Sequence, residues 1–224
     1  MDIAIVIAAY NEQGSVGKVV KNLHKHNYQH IIVVDDGSKD KTSEEATEAG
    51  AIVLRHIINR GQGAALQTGI SYALKQGANI IITFDADGQH KAKDIPKFIK
   101  PIEKGEADVC LGSRFLKNTN NAPFMRRVIL KGGALSLRIF YGLKLTDSHN
   151  GFRALSRKAA NKIKIKSDGM EHASEIIEQI ADNKLKYKEI PNTITYSDET
   201  LAKGQGNSNA INIMTKMILG KLKR

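Results

Sequence analysis

At 224 residues, with 41% apolar and 25% charged side chains, the chain can bury one full hydrophobic core and has the make-up of a soluble globular protein. Its one cysteine, Cys110, excludes an internal disulfide and points to a reducing compartment, and neither a secretory leader nor an apolar run of the roughly 18–20 residues that span a bilayer is present, which argues against an integral membrane protein. The net charge of +11 is concentrated: residues 109–167 hold 13 Lys and Arg against one acid, Asp147, a stretch that either attracts anions or forms a solvated basic face.

In chain order, short β-branched runs alternate with amphipathic stretches. Ile3–Ala8, His30–Val34, Ile52–Arg55, Ile80–Phe84 and Asp108–Leu111 are predicted strands. Ser15–Lys25, Lys41–Ala49, Gly63–Lys75 and Asp94–Glu103 are predicted helices, with Ser15 and Asp94 near two of the N-termini. This alternation predicts an α/β fold, a mostly parallel central sheet with helices on both faces. Such sheets bind ligands at the carboxyl ends of their strands. After residue 113 the pattern changes. A loop rich in Asn and Pro, 117–123, precedes a basic, apolar stretch, Phe124–Leu143, that reads as a helix; Asp168–Ala181 reads as another and Tyr187–Tyr196 as a strand. Asn207–Arg224 sets Ala210, Ile211, Met214, Met217, Ile218 and Leu222 at helical spacing. The expected organisation is one domain over 1–200, then a lid loop and an amphipathic helix over 201–224.

Three segments that follow strands carry the chemistry: Ala8-Ala9-Tyr10-Asn11-Glu12, Val33-Val34-Asp35-Asp36-Gly37-Ser38, and Thr83-Phe84-Asp85-Ala86-Asp87-Gly88-Gln89-His90. Acids gathered at neighbouring strand ends repel unless a cation or hydrogen-bond donors lie between them. Asp85 and Asp87, two apart, point the same way on an extended segment. Hard oxygen ligands of this kind suit Mg²⁺ or Mn²⁺ shared with substrate phosphates, although Asp-x-Asp-Gly also fits a plain Asx turn. An EF-hand is excluded, since Pro96 stands at position 12 of the loop counted from Asp85. Asn59-Arg60-Gly61-Gln62-Gly63 partly mimics a dinucleotide fingerprint, but Leu66 replaces its third glycine and the loop follows the third strand rather than the first. It is consistent with backbone approaching a phosphate or sugar, or with a tight turn.

Taken in order, the segments A-Y-N-E, V-V-D-D-G-S-K-D-K-T, N-R-G-Q-G-A-A, D-A-D-G-Q-H, G-S-R-F and T-D-S-H-N-G-F-R resemble those of the family 2 glycosyltransferases. Within that family the similarity is to the dolichyl- and polyprenyl-phosphate sugar transferases, such as dolichyl-phosphate mannose synthases, and it runs from about residue 3 to 196. The resemblance implies a GT-A nucleotide-binding fold. It places Tyr10, Glu12 and Asp36 around the base and ribose, with Ala9, Asp35 and Gly63 in the same pocket, and Asp85 near the ribose and diphosphate. Asp85, Asp87 and Gln89 would hold Mg²⁺ or Mn²⁺, with Asp87 catalytic through it. Arg114 would reach a phosphate, and Asp147 and Arg153 would face sugar and acceptor. Ala8 stands where a proline is usual, and the C-terminal transmembrane helices of some relatives are missing.

The implied reaction is one direct displacement with inversion at the anomeric carbon, from a GDP- or UDP-linked sugar. A hydroxyl acceptor needs a general base, for which Asp147, Glu171, His172 and Glu175 are candidates; a phosphate acceptor is already an anion. Asp147, a lone acid among basic residues, is either a salt-bridge partner or a functional carboxylate. Arg126, Arg127, Lys131 and Arg138 would draw a polyprenyl phosphate head group to an anionic membrane, which makes the expected location cytoplasmic and peripheral on the cytoplasmic membrane face. The alternative acceptor is a growing cell-surface glycan. The C-terminal helix is expected at the membrane, on the core or against a second subunit, and Lys203-Gly204-Gln205-Gly206 as a loop closing over the donor. A sugar nucleotidyltransferase is the nearest rival reading, but the glycine-rich basic loop it needs after strand one is replaced by Tyr10-Asn11-Glu12. A nucleic-acid partner is not expected, because aromatics are 5% and three acid clusters would repel phosphate.

Overall fold

A computed structural model describes residues 2–116, 142–147 and 150–193. The elements run β1 (Ile3–Ala9), α1 (Val16–Lys25), β2 (Ile31–Asp35), α2 (Thr42–Glu48), β3 (Ile52–Arg55), α3 (Gln62–Lys75), β4 (Ile80–Asp85), a 3₁₀ turn (Ala92–Asp94), α4 (Ile95–Glu103) and β5 (Val109–Ser113). They continue with β6 (Arg153–Ser156), α5 (Arg157–Lys162), α6 (His172–Asp182) and β7 (Tyr187–Pro191).

The described strands form one seven-stranded sheet in the order β3-β2-β1-β4-β6-β5-β7. β3, β2, β1 and β4 pair in parallel, while β6 runs antiparallel to both β4 and β5, and β7 is parallel to β5. The mostly parallel sheet expected from the strand–helix alternation is therefore present. The central strands are buried on both faces, which is why they read as continuous Ile and Val runs. Period two divides β1 between two cores: Ile5 and Ile7 pack with Val20 and Leu23 of α1 and Phe98 of α4, whereas Ala4 and Val6 pack with Ile70 of α3, Ala160 of α5 and Ile177 of α6. Helices thus cover both faces.

The four helices predicted in the first half are present to within a residue or so at each end. Ser15 and Asp94 do sit at N-cap positions, but neither side chain caps its helix. The Ser15 hydroxyl donates to the Glu12 carboxylate at 2.7 Å, and Asp94 pairs with Lys97. By contrast Ser156, at the junction of β6 and α5, accepts the Ala159 N–H. The helix predicted from Asp168 begins at His172, because the preceding backbone is committed to α3. Residues 142 and 143, predicted to end a helix, are irregular. The rest of that stretch, with Arg126 and Arg127, lies outside the described residues, as do the 203–206 loop, the 201–224 segment and the end of the predicted last strand. Among the described residues no helix is long and apolar enough to cross a membrane.

Candidate active site

The carboxyl ends of β1, β2 and β4 open into a cleft of ≈ 610 Å³. Its lining includes Ala9 at the end of β1 with Tyr10 and Glu12 after it, Asp36 after β2, Gly61 after β3, and Asp85 at the end of β4 with Asp87 after it. This is where a parallel α/β sheet binds ligands. Tyr10, one of the lining residues, is 44% exposed. The first two turns are hooked together: the Asn11 N–H donates to the Ser38 hydroxyl at 2.9 Å, and the Glu12 N–H to the Thr42 hydroxyl at 2.8 Å.

The neighbouring acids Asp35 and Asp36 do different work. Asp35 is fully buried and is not among the residues that line the cleft. Its carboxylate accepts the Ser38 N–H at 2.9 Å and the Ser43 hydroxyl, and Arg55 lies 3.6 Å away. It shapes the turn after β2, one residue before the cleft-lining Asp36. Asp36 lines the cleft and anchors the loop after β3, accepting from Arg60 N at 3.0 Å, Gly61 N at 2.6 Å and the His56 ring at 2.7 Å.

Gly63 is likewise not among the residues that line the cleft. The N–H groups of Gly63 and Ala64 donate to the Asp168 carbonyl at 2.7 and 3.2 Å, so these donors at the start of α3 face protein backbone rather than a phosphate. A Cβ on Gly63 would lie 2.0 Å from the Ser167 carbonyl oxygen. The close approach is between two backbone segments, and it also explains the late start of α6. Gly63→Ala is expected to lower stability by about 3 kcal/mol, the upper range for overpacking. Urea unfolding checks this; an unchanged midpoint would contradict the assigned packing.

Asp85 and Asp87 stand close enough to oppose each other's ionisation. Burial pushes the Asp87 carboxyl up, and the charges of Asp85 and Glu12 add to that shift against the Gln89 N–H and His90. Burial also works against Asp85, but His90, Arg153 and His172 outweigh it and hold its carboxyl below the usual range. Asp85 therefore ionises first and Asp87 bears the repulsion. A divalent cation between them would relieve it. Among the described residues no group of three His, Cys, Asp or Glu encloses such an ion. Two carboxylates plus substrate phosphates nevertheless fit Mg²⁺ or Mn²⁺, which commonly keep part of their shell for water and substrate. Gln89 meets this group through its backbone N–H, which donates to Asp87 at 2.9 Å.

From Asp85 an alternating series of charges leads through Arg153 and Asp147 to Arg114. Arg114 and Asp147 form a buried two-pronged pair, with Nε to Oδ2 at 2.6 Å and Nη2 to Oδ1 at 2.7 Å. Arg153 on β6 is 2% exposed and feels the charges of both Asp85 and Asp147, while burial lowers its pKa to about 10. Its Nη1 atom is buried without a hydrogen-bond partner among the described residues. Of the candidate bases, Asp147 is thus engaged with arginine, and Glu175 accepts the backbone N–H groups of Lys166 and Ser167. His172 is buried, with Nδ1 donating to the Gly169 carbonyl at 2.8 Å.

Two residues of this arrangement escaped the sequence reading. Glu189 on β7 accepts from Thr146 N at 2.8 Å and Asp147 N at 3.2 Å, and so holds the segment that carries Asp147. Burial raises its carboxyl. A single acid in a short strand carries no sequence signal for such a role. Met170 lines the cleft from the turn before α6, and it too lacks a marker in the sequence.

Residues 4–164 match the Glycosyl transferase family 2 description. The chain is 34% identical over 98% of its length to the UDP-N-acetylglucosamine–dolichyl-phosphate N-acetylglucosaminyltransferase of Methanococcus voltae, covering 96% of that protein. It is also 29% identical, over 98% of this chain and 88% of the relative, to the polyprenol monophosphomannose synthase of Mycolicibacterium smegmatis. Among solved structures, glucosyl-3-phosphoglycerate synthase from Mycobacterium tuberculosis with Mn²⁺ and UDP-glucose superposes with a TM-score of 0.75 at 17% identity, covering 99% of this chain and 78% of that one. The fold is thus the GT-A glycosyltransferase fold. The chain belongs to glycosyltransferase family 2, and it is a glycosyltransferase.

Proposed function

We propose that this enzyme transfers a sugar from a nucleoside diphosphate donor to a polyprenyl phosphate of the dolichyl type, with inversion and with the help of a divalent cation. The observation that carries the reading is the pair of opposed carboxylates, Asp85 and Asp87, on the wall of a cleft that Tyr10, Glu12 and Asp36 line. Full-length similarity to transferases named for dolichyl phosphate and polyprenol monophosphate supports the acceptor.

Tyr10 and Asp36 would frame the nucleoside, and Asp85 the ribose and diphosphate. A cation bound by Asp85 and Asp87, with Gln89 nearby, would neutralise charge on the departing diphosphate. In the displacement an acceptor phosphate oxygen bonds to the anomeric carbon as the bond to the donor diphosphate breaks, its electron pair leaving with the nucleoside diphosphate. A phosphate acceptor needs no proton removed. That requirement agrees with Asp147 and Glu175 being engaged in internal contacts. Arg114 and Arg153 would supply positive charge on the acceptor side, and the basic residues Arg126 and Arg127 would favour a peripheral position on an anionic, cytoplasmic membrane face.

The test is nucleoside diphosphate release across GDP- and UDP-sugars with Mn²⁺ or Mg²⁺, with and without a short polyprenyl phosphate. One donor is expected to give release that rises at least about tenfold with the lipid, since the acceptor supplies the attacking oxygen. Release indifferent to the lipid would move the acceptor elsewhere, to a growing glycan.

A further inference from the structure

We propose that His90 is a positioning residue for donor binding, whose Nε2–H fixes the Asp85 carboxylate in the orientation that meets the donor diphosphate and its cation. This rests on the reading of Asp85 as a donor ligand. Asp85 Oδ2 lies 2.7 Å from His90 Nε2, and an ionised carboxylate only accepts, so the hydrogen belongs to the imidazole. The ring is wedged between Phe84 and Phe152, with centroids 5.3 and 5.1 Å away, and its side chain is 1% exposed.

Packing alone does not account for an imidazole there. Nδ1 is buried with no hydrogen-bond partner among the described residues, an arrangement that disfavours folding and that a phenyl ring would avoid. What the imidazole adds is the donor to Asp85. On another side of the carboxylate stands Gly151, where an added Cβ would lie 2.4 Å from Oδ1 and 2.6 Å from Oδ2. The Gly151 carbonyl is itself tied down by the Thr83 hydroxyl at 2.6 Å. Rotation of the Asp85 carboxylate therefore breaks the bond to His90, and Gly151 presents no side chain that could hold the carboxylate in its place. Second partners of this kind set ligand orientation at cation sites, and their loss typically weakens binding 10–100-fold.

His90→Phe keeps the ring volume and removes the donor. Titration calorimetry would measure binding of UDP or GDP, whichever the wild type holds more tightly, with and without Mn²⁺. The variant is expected to bind about 10–100-fold more weakly while melting no lower than wild type, and His90→Gln to recover part of the loss. In an Asp85→Asn background His90→Phe is expected to have no further effect, because the two act as a unit. Wild-type affinity in His90→Phe, or an equal loss in both backgrounds, overturns the proposal. If His90→Phe does not fold, Gly151→Ala displaces the same carboxylate by a different contact, and unchanged nucleotide binding there overturns it equally. A wild type whose nucleotide binding ignores Mn²⁺ would refute the cation reading alone; the coupling between His90 and Asp85 is still read without metal.

Discussion

Asp87→Ala is expected to lower turnover by about 10³-fold or more, the scale of losing a cation together with a charge contact in the transition state. The same substitution is expected to leave the metal-free protein as stable as wild type at neutral pH, or more so. Asp87 is raised by burial and by the charges of Asp85 and Glu12. A carboxyl whose pKa is raised on folding favours the native state below its unfolded titration, and that contribution is lost as pH climbs through the raised value. Ionised Asp87 is therefore a strain on the empty protein. A cation reverses the sign: Mn²⁺ should raise the melting temperature of wild type, increasingly as pH rises through the Asp87 titration, and should do little for the variant. Diphosphate release and paired melts in EDTA and Mn²⁺ check both halves. Full activity in the variant would end the assignment of Asp87 to the cation.

Asp147→Ala is expected to destabilise the fold by about 3–5 kcal/mol, the usual consequence of removing one partner from a buried ion pair. The carboxylate takes both prongs of Arg114 and also the Arg114 backbone N–H at 3.1 Å, and it is a counter-charge for buried Arg153. Its removal leaves two guanidinium groups with too little negative charge around them. Denaturant unfolding reads the effect directly. A variant that melts with wild type yet is inactive would instead make Asp147 a functional carboxylate with little structural part. Replacing Arg114 and Asp147 together by apolar residues of similar volume should recover part of the lost stability, because Arg153 alone is then short of a counter-charge.

The parallel half of the fold is legible from residue pattern because buried parallel strands leave unbroken Ile and Val runs, and each is followed by a helix with one apolar face. β6 is not. Arg153-Ala154-Leu155-Ser156 is four residues long, opens on a charge and has no alternation to betray it. Its place between β4 and β5 is fixed by pairings such as Ile82 with Ala154 and Cys110 with Ala154, which are contacts across the sheet and not properties of the segment. The same limit governs the site. Tyr10, Glu12, Asp36, Asp85 and Asp87 were reachable because each follows a strand and so must lie at one edge of the sheet. Asp35 and Gly63 follow strands too, but their direction depends on neighbours distant in sequence, Arg55 for one and the Ser167–Asp168 backbone for the other. Glu189 and Met170 come to the arrangement only when the chain has closed.

The clasp between Arg114 and Asp147 has a bearing on how this scaffold can change. Together with the Ser113–Thr146 hydroxyl contact at 2.6 Å, it joins the two ends of residues 115–145 at one point of the sheet. Whatever is threaded between those ends, the donor half is insulated from its length, since doubling a loop that is already closed adds only about 0.6 kcal/mol. A change in the number of residues between positions 115 and 145 is therefore expected to leave the stability of the sheet nearly unaltered, which urea unfolding of a length variant would check.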